Sequence, residues 1–177
     1  MRLILIEANP ELLLDRTVSI LTNTHYRHAC MCFPTITQAL LFESSLKKGG
    51  VVPYRHFKDL KDSQIVVYDV PIDSEVTLLD AFHFAISKIG HKYDLTGFLL
   101  WCFNRSTPGK LYCFEYVLKA LGQLGTINGL SIVPMVNLMR GTSISGADIE
   151  TILRQCNVAV SFRGKAKVYT ELVGLSS

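Results

Sequence analysis

Three side chains have the chemistry of a nucleophilic site: Cys113, His28 and Glu43. Cys113 follows Pro108-Gly109 and opens a stretch whose apolar residues recur at helical spacing, so its thiol is predicted near a helix N-terminus. The free N–H groups and partial positive charge of a helix N-terminus stabilise a thiolate, and then an oxyanion formed on an attacked carbonyl. Cys113 is therefore a candidate nucleophile. The alternative interpretation is a small, buried apolar side chain.

A cysteine nucleophile needs a base within hydrogen-bond reach and a third polar group that orients the base. His28 is the best placed of the five histidines, because it starts a predicted strand, and a strand start is a rigid platform for an imidazole. Glu43 interrupts an apolar run in the next predicted strand. It either faces solvent or, if the two strands are hairpin neighbours, reaches the His28 imidazole. The other histidines have less local support: His25, His56, His83 and His91.

A metal site is the rival use of the same strand. His25, His28, Cys30 and Cys32 are four zinc-competent side chains within eight residues. Period two places His28, Cys30 and Cys32 on one strand face. Ligands two apart on a strand suit tetrahedral zinc poorly, and no Cys-x-x-Cys pair completes a zinc knuckle. A buried cysteine pair is the favoured interpretation, and we expect neither a metal nor another cofactor.

Composition restricts the class of protein. With 177 residues, 49% of them hydrophobic, the chain is long enough for one well-covered core, and we expect a single domain over 1–177. The net charge of +3 arises from scattered Lys and Arg residues, so nucleic acid is not an expected partner. Five cysteines without a repeating spacing favour a reducing compartment. No apolar stretch approaches the ~20 residues of a membrane span, and the apolar N-terminal run is too short for a signal peptide, so we expect a cytoplasmic protein.

Apolar periodicity predicts an α+β domain with a mostly antiparallel sheet packed against helices. Strands are predicted at 1–7, 28–33, 37–44, 51–54, 63–70, 159–162 and 166–169. Helices are predicted at 10–21, from 73 to 89, from Cys113 to Gly122 or Gly125, and at 145–156.

Three segments follow one another in a recognisable order. The histidine strand reads Arg27-His28-Ala29-Cys30-Met31 and is followed by a Glu strand with a Gly-Gly-Val turn. Then come Tyr93-Asp94-Leu95-Thr96-Gly97 and Leu111-Tyr112-Cys113-Phe114-Glu115. This order resembles the circularly permuted papain-like hydrolases, the YiiX-like relatives of the NlpC-type cysteine peptidases and lecithin retinol acyltransferases. The resemblance covers about residues 15–122. Arg27 and Phe114 depart from it, since the family has small residues at both positions.

The resemblance implies a permuted papain-like fold with Cys113 as nucleophile, His28 as general acid and base, and Glu43 as orienting residue. It also implies that Tyr93 and Tyr112 line the substrate site. The implied reaction is acyl transfer through a thioester on a peptide, peptidoglycan peptide or lipid, in a bacterial or phage enzyme. One alternative is an inactive papain-like fold that binds a protein partner or acts as an inhibitor. The second alternative is a small metal-binding domain built on His25, His28, Cys30 and Cys32.

Overall fold

A six-stranded antiparallel sheet forms the centre of the protein. The computed structural model describes residues 1–34, 39–54, 60, 62–96, 111–139 and 143–173. Outside these residues lie His56, Gly97, Pro108 and Gly109, and also residues 37 and 38 of the strand predicted at 37–44. The sheet order is β4-β3-β2-β1-β5-β8. Its strands are β1 (Arg2–Glu7), β2 (Tyr26–Pro34), β3 (Ala39–Ser45), β4 (Gly50–Tyr54), β5 (Gln64–Asp69) and β8 (Val160–Lys165).

A short hairpin and six helices complete the described part of the chain. The hairpin pairs β6 (Thr126–Ile127) with β7 (Leu130–Ser131). The helices are α1 (Leu13–Thr22), α2 (Glu75–Ser87), α3 (Cys113–Gly122), α4 (Val133–Leu138), α5 (Gly146–Gln155) and α6 (Ala166–Leu172). None of these helices has the length and apolarity that crossing a membrane requires.

Both faces of the sheet are buried at the central strand β1, which is why β1 is apolar at four consecutive positions. Leu3 and Leu5 pack in one cluster with residues of α2, α3 and α5, whereas Ile4 and Ile6 pack in a second cluster. The strand β2 divides in the same way. Ala29, Met31 and Phe33 belong to the first cluster, and Cys30 and Cys32 to the second. The predicted alternation is confirmed for these five residues of β2.

The prediction of a last strand at 166–169 is wrong, because this segment is the start of helix α6. Ala166 and Tyr169 are buried in the second cluster, and Val173 packs against it. Val168 is 47% exposed. Spacings of three and four residues belong to one side of a helix, whereas a strand would have buried alternate residues. The two short strands β6 and β7 and the helix α4 were not predicted.

The hairpin of β2 and β3 and the helix α3 set the geometry of the candidate site. In the hairpin, Cys30 lies opposite Glu43. The β1–β2 pairing shifts register just before His28, since Ile6 pairs with His28 and Glu7 with Tyr26. Such irregularities reorient side chains and are frequent beside active sites. Helix α3 packs across β2 and β3 and begins at Cys113.

Candidate active site

His28 and Glu43 contact each other across the β2–β3 hairpin. His28 Nε2 lies 2.5 Å from Glu43 Oε2. Because Cys30 is the residue opposite Glu43, His28 is a diagonal neighbour of Glu43, two residues along the strand. The Glu43 side chain is 6% exposed and that of His28 19% exposed. Of the two alternatives left open by the sequence, the structure therefore has the hairpin pairing, which brings the two side chains together.

Cys113 is the first residue of α3 and lies beside His28. Its side chain is buried, and the preceding residue, Tyr112, has the extended backbone of a helix N-cap without a side-chain capping hydrogen bond. Cys113 raises the pKa of His28 by its charge and by side-chain hydrogen bonding, which requires the thiol and the imidazole to be neighbours. The structure thus joins Cys113, His28 and Glu43, which lie far apart in the sequence.

Burial and charge act in opposite directions on this group. Burial lowers the pKa of His28, but Cys113 and Glu43 together raise it to about 10. Burial raises the pKa of Glu43, but His28 and then Lys48 lower it below its ordinary value. At neutral pH an imidazolium therefore faces a carboxylate, and the sulfur of Cys113 lies next to the imidazolium.

Backbone contacts attach the start of α3 to the sheet. The buried Ser44 donates its hydroxyl hydrogen to the carbonyl of Leu111 at 2.6 Å. Leu111 also forms a parallel bridge with Tyr93, and its N–H donates to the Lys92 carbonyl at 3.3 Å. The Tyr93 N–H in turn donates to the Gly49 carbonyl at 3.1 Å. The segment that leads into Cys113 is therefore held against both β3 and the turn that follows it.

The two tyrosines expected at the substrate site have different surroundings. Tyr93 is half-buried, and both burial and the neighbouring Cys113 raise the pKa of its phenol. Tyr112 is almost fully buried, and its hydroxyl accepts a hydrogen bond of 2.5 Å from the N–H of Ile144. The Tyr112 hydroxyl is thus engaged within the fold. Contact of either tyrosine with a substrate stays a prediction.

The four residues of the rival metal site do not form a ligand set. Cys30 and Cys32 are buried in the second apolar cluster, and the ring of the exposed His25 lies against Tyr26. His28 contacts Glu43 instead. Within the described residues, no three or more His, Cys, Asp or Glu side chains are grouped to hold a metal ion. The two other histidines of the described residues lie elsewhere in the fold: the exposed His83 on α2 and His91 in the loop after it.

Two residues of the site were missed in the sequence. Lys48 Nζ lies 3.4 Å from Glu43 Oε1, on the carboxylate oxygen that does not contact His28. Ser44 holds the Leu111 carbonyl, as described above. The sequence carried a signal for each of them. Ser44 is a polar residue directly after the candidate carboxylate Glu43, and Lys48 is a cation in the predicted turn, just before Gly49-Gly50.

Comparison with known proteins adds evidence on the fold. No protein-family model matches the chain, and no curated protein matches it. Among solved structures, the chain is similar to the metalloprotein YiiX from Escherichia coli O157:H7, with 16% sequence identity and a TM-score of 0.54. The match covers 93% of this chain and 86% of that chain. The chain has a YiiX-like fold.

A YiiX-like fold confirms the predicted α+β class with an antiparallel sheet packed against helices. At 16% identity the likeness concerns the fold alone. The description of YiiX as a metalloprotein applies to YiiX. The described residues of this chain do not fit a metal centre, because its zinc-competent side chains are divided between an apolar cluster, an exposed position and the contact with Glu43.

Proposed function

We propose that this protein is a cysteine hydrolase or acyltransferase that cleaves an amide, ester or thioester bond with Cys113, His28 and Glu43. The observation that carries the proposal is the contact of His28 with Glu43 at 2.5 Å. Cys113, at the start of α3, neighbours the same imidazole and raises its pKa. A thiol, an imidazole and an orienting carboxylate are the three groups that nucleophilic catalysis by cysteine uses. The YiiX-like fold and the order of the three sequence segments agree with this proposal.

The ring nitrogens of His28 define the path of the proton. Nε2 is bound to Glu43, so Nδ1 is the nitrogen that serves Cys113. The thiol proton moves to Nδ1 before the attack, so that an imidazolium faces the sulfur while the sulfur bonds to the carbonyl carbon. The tetrahedral intermediate then expels the leaving group, which receives the proton from the imidazolium, and a thioester remains on Cys113. Water or another acceptor next loses a proton to Nδ1 and bonds to the thioester carbon. The C–S bond then breaks, the acylated product leaves, and the sulfur recovers its proton from the imidazolium.

The N-terminus of α3 is the proposed site for the oxyanion. Cys113 is the first residue of this ten-residue helix, and no capping side chain from Tyr112 occupies its first-turn N–H groups. The backbone N–H of Cys113 and the positive end of the helix dipole therefore lie beside the attacking sulfur. Donors placed in this way act on charge that appears only in the transition state.

The acyl group of the substrate is expected to contact Tyr93, since this half-buried phenol is within electrostatic reach of Cys113. We expect a peptide, a peptidoglycan peptide or a lipid as substrate, on the basis of the family resemblance. Panels of amide, ester and thioester donors from these three classes can rank the preferences.

Alkylation of the cysteines tests the proposal without a known substrate. Cys30, Cys32, Cys113 and Cys156 are all at most 2% exposed, so accessibility gives Cys113 no advantage. Burial raises the pKa of Cys156, and that of Cys32 to about 11. Peptide mass spectrometry after iodoacetamide treatment at pH 7 should find Cys113 modified at least about tenfold faster than Cys156, because the thiolate is the reactive form.

The matched control is His28→Gln, which removes the base and should abolish the advantage of Cys113. Equal rates at Cys113 and Cys156, or labelling that persists unchanged in Cys113→Ala, would contradict the hydrolase proposal. Intact-protein mass spectrometry with activated esters should then detect one acyl group on Cys113. Fast alkylation of Cys113 without any acyl-enzyme would favour the inactive, partner-binding alternative.

A further inference from the structure

The carboxylate of Glu43 is shared between two cations. Its Oε2 is bound to His28 at 2.5 Å, and its Oε1 lies 3.4 Å from the ammonium group of Lys48. Lys48 belongs to the turn between β3 and β4, and its side chain is 27% exposed. The Glu43 side chain is 6% exposed, so water screens its charge poorly, and both cations act on it strongly.

We propose that Lys48 is a positioning residue of the catalytic group. Its ammonium group offsets part of the negative charge of Glu43, so that His28 releases its proton more readily. This inference rests on the proposed hydrolase function. Without Lys48, the whole carboxylate charge would stabilise the imidazolium. With Lys48 in place, the carboxylate still orients the ring through Oε2, but the second positive charge near His28 opposes its protonation.

The acyl-enzyme is the state in which this effect matters most. Once the sulfur of Cys113 is bonded to an acyl carbon, it carries no charge that favours the imidazolium. His28 must then accept a proton from water on Nδ1 while the water oxygen bonds to the thioester carbon and the C–S bond breaks. Only the neutral imidazole can accept that proton, so a cation that opposes protonation extends the reaction to lower pH.

The other titratable groups around His28 and Glu43 come from three elements. Cys113 and Tyr112 lie at the start of α3, and Tyr93 and Asp94 lie on the segment paired with Leu111. Arg27, next to His28 in β2, is bound to Asp15 and Ser63. Among the described residues, Lys48 is the cation that forms an ion pair with Glu43 besides His28.

The experiment measures the pKa of His28 by NMR titration of the labelled imidazole in a Cys113→Ala background. This background removes the sulfur and imitates the absence of its charge in the acyl-enzyme. Lys48→Met should raise the pKa of His28 by roughly half a pH unit, because a nearby positive charge has been removed. Lys48→Arg keeps the charge and should stay close to the parent value. Lys47→Met, in the exposed neighbouring residue, is the matched control and should leave the titration unchanged.

Two results in Lys48→Met would overturn the inference. An unchanged pKa of His28 would mean that Lys48 does not offset the charge of Glu43, and a lowered pKa would mean that Lys48 only holds Glu43 in place. The same variants in the Cys113 protein give a functional readout. In the pH–rate profile of p-nitrophenyl acetate hydrolysis, the acidic limb should move to higher pH in Lys48→Met and should stay in place in Lys47→Met. The two proposals fail separately. If the pKa of His28 changes as expected but no acyl-enzyme forms, the hydrolase proposal is refuted. If the protein turns over substrate but the pKa of His28 does not change in Lys48→Met, the role of Lys48 is refuted.

Discussion

Glu43→Gln removes one charge from the candidate site while it keeps the shape of the side chain and an acceptor oxygen. His28 Nε2 approaches that oxygen at 2.5 Å, and the Glu43 side chain is 6% exposed. A hydrogen bond to a charged group is worth about 1 to 2 kcal/mol more than a neutral one. The substitution should therefore lower the pKa of His28 by about one pH unit, since one unit corresponds to ~1.4 kcal/mol.

The pH dependence of stability checks the same energy independently. The pKa of His28 is raised from 6.5 to about 10 in the folded protein, so its charged form stabilises the fold fully below pH 6.5. That stabilisation disappears as the pH rises to about 10. Urea unfolding should show Glu43→Gln less stable than the parent by ~1 to 2 kcal/mol at pH 6, with the difference shrinking towards pH 10. Glu11→Gln, at an exposed position, is the control. A difference that does not change between pH 6 and pH 10 would refute the ion pair.

Two substitutions test the contacts that hold the start of α3. Ser44→Ala removes the 2.6 Å donor to the Leu111 carbonyl and should cost about 1 to 3 kcal/mol in urea unfolding and slow the alkylation of Cys113, whereas Ser45→Ala should do neither. If Ser44→Ala leaves both quantities unchanged, this hydrogen bond does not position Cys113. Tyr112→Phe leaves the N–H of Ile144 without its 2.5 Å partner and should likewise cost about 1 to 3 kcal/mol. Full stability of Tyr112→Phe would show that the hydroxyl is not needed there.

The central strands could be predicted from the sequence because their apolar runs are bounded by clear turn residues. The strand predicted at 28–33 lies within Tyr26–Pro34, and the helix predicted from Cys113 ends at Gly122. Hairpin pairing of neighbouring strands then brought His28 and Glu43 together. This step needed only the usual preference of consecutive strands to lie side by side.

Other features depend on contacts between distant segments. The segment 166–169 alternates well enough for a strand, but burial of Ala166 and Tyr169 against the sheet selects a helix. The ion pair of Lys48 depends on how the β3–β4 turn folds back, which residue spacing does not define. The hairpin of β6 and β7 did carry a local signal in the sequence, because an Asn-Gly pair favours a two-residue hairpin turn. Asn128 and Gly129 have the positive φ angles that such a turn requires.

The adjacent residues Glu43 and Ser44 give strand β3 a second role. Neighbouring residues of a strand point to opposite faces. Here Glu43 contacts the imidazole of His28, and Ser44 contacts the backbone of Leu111, just before Cys113. A slip of β3 by one residue would exchange the two faces and remove both contacts together. Correct register of β3 is therefore a single condition on which both the ion pair of His28 and the anchoring of α3 depend.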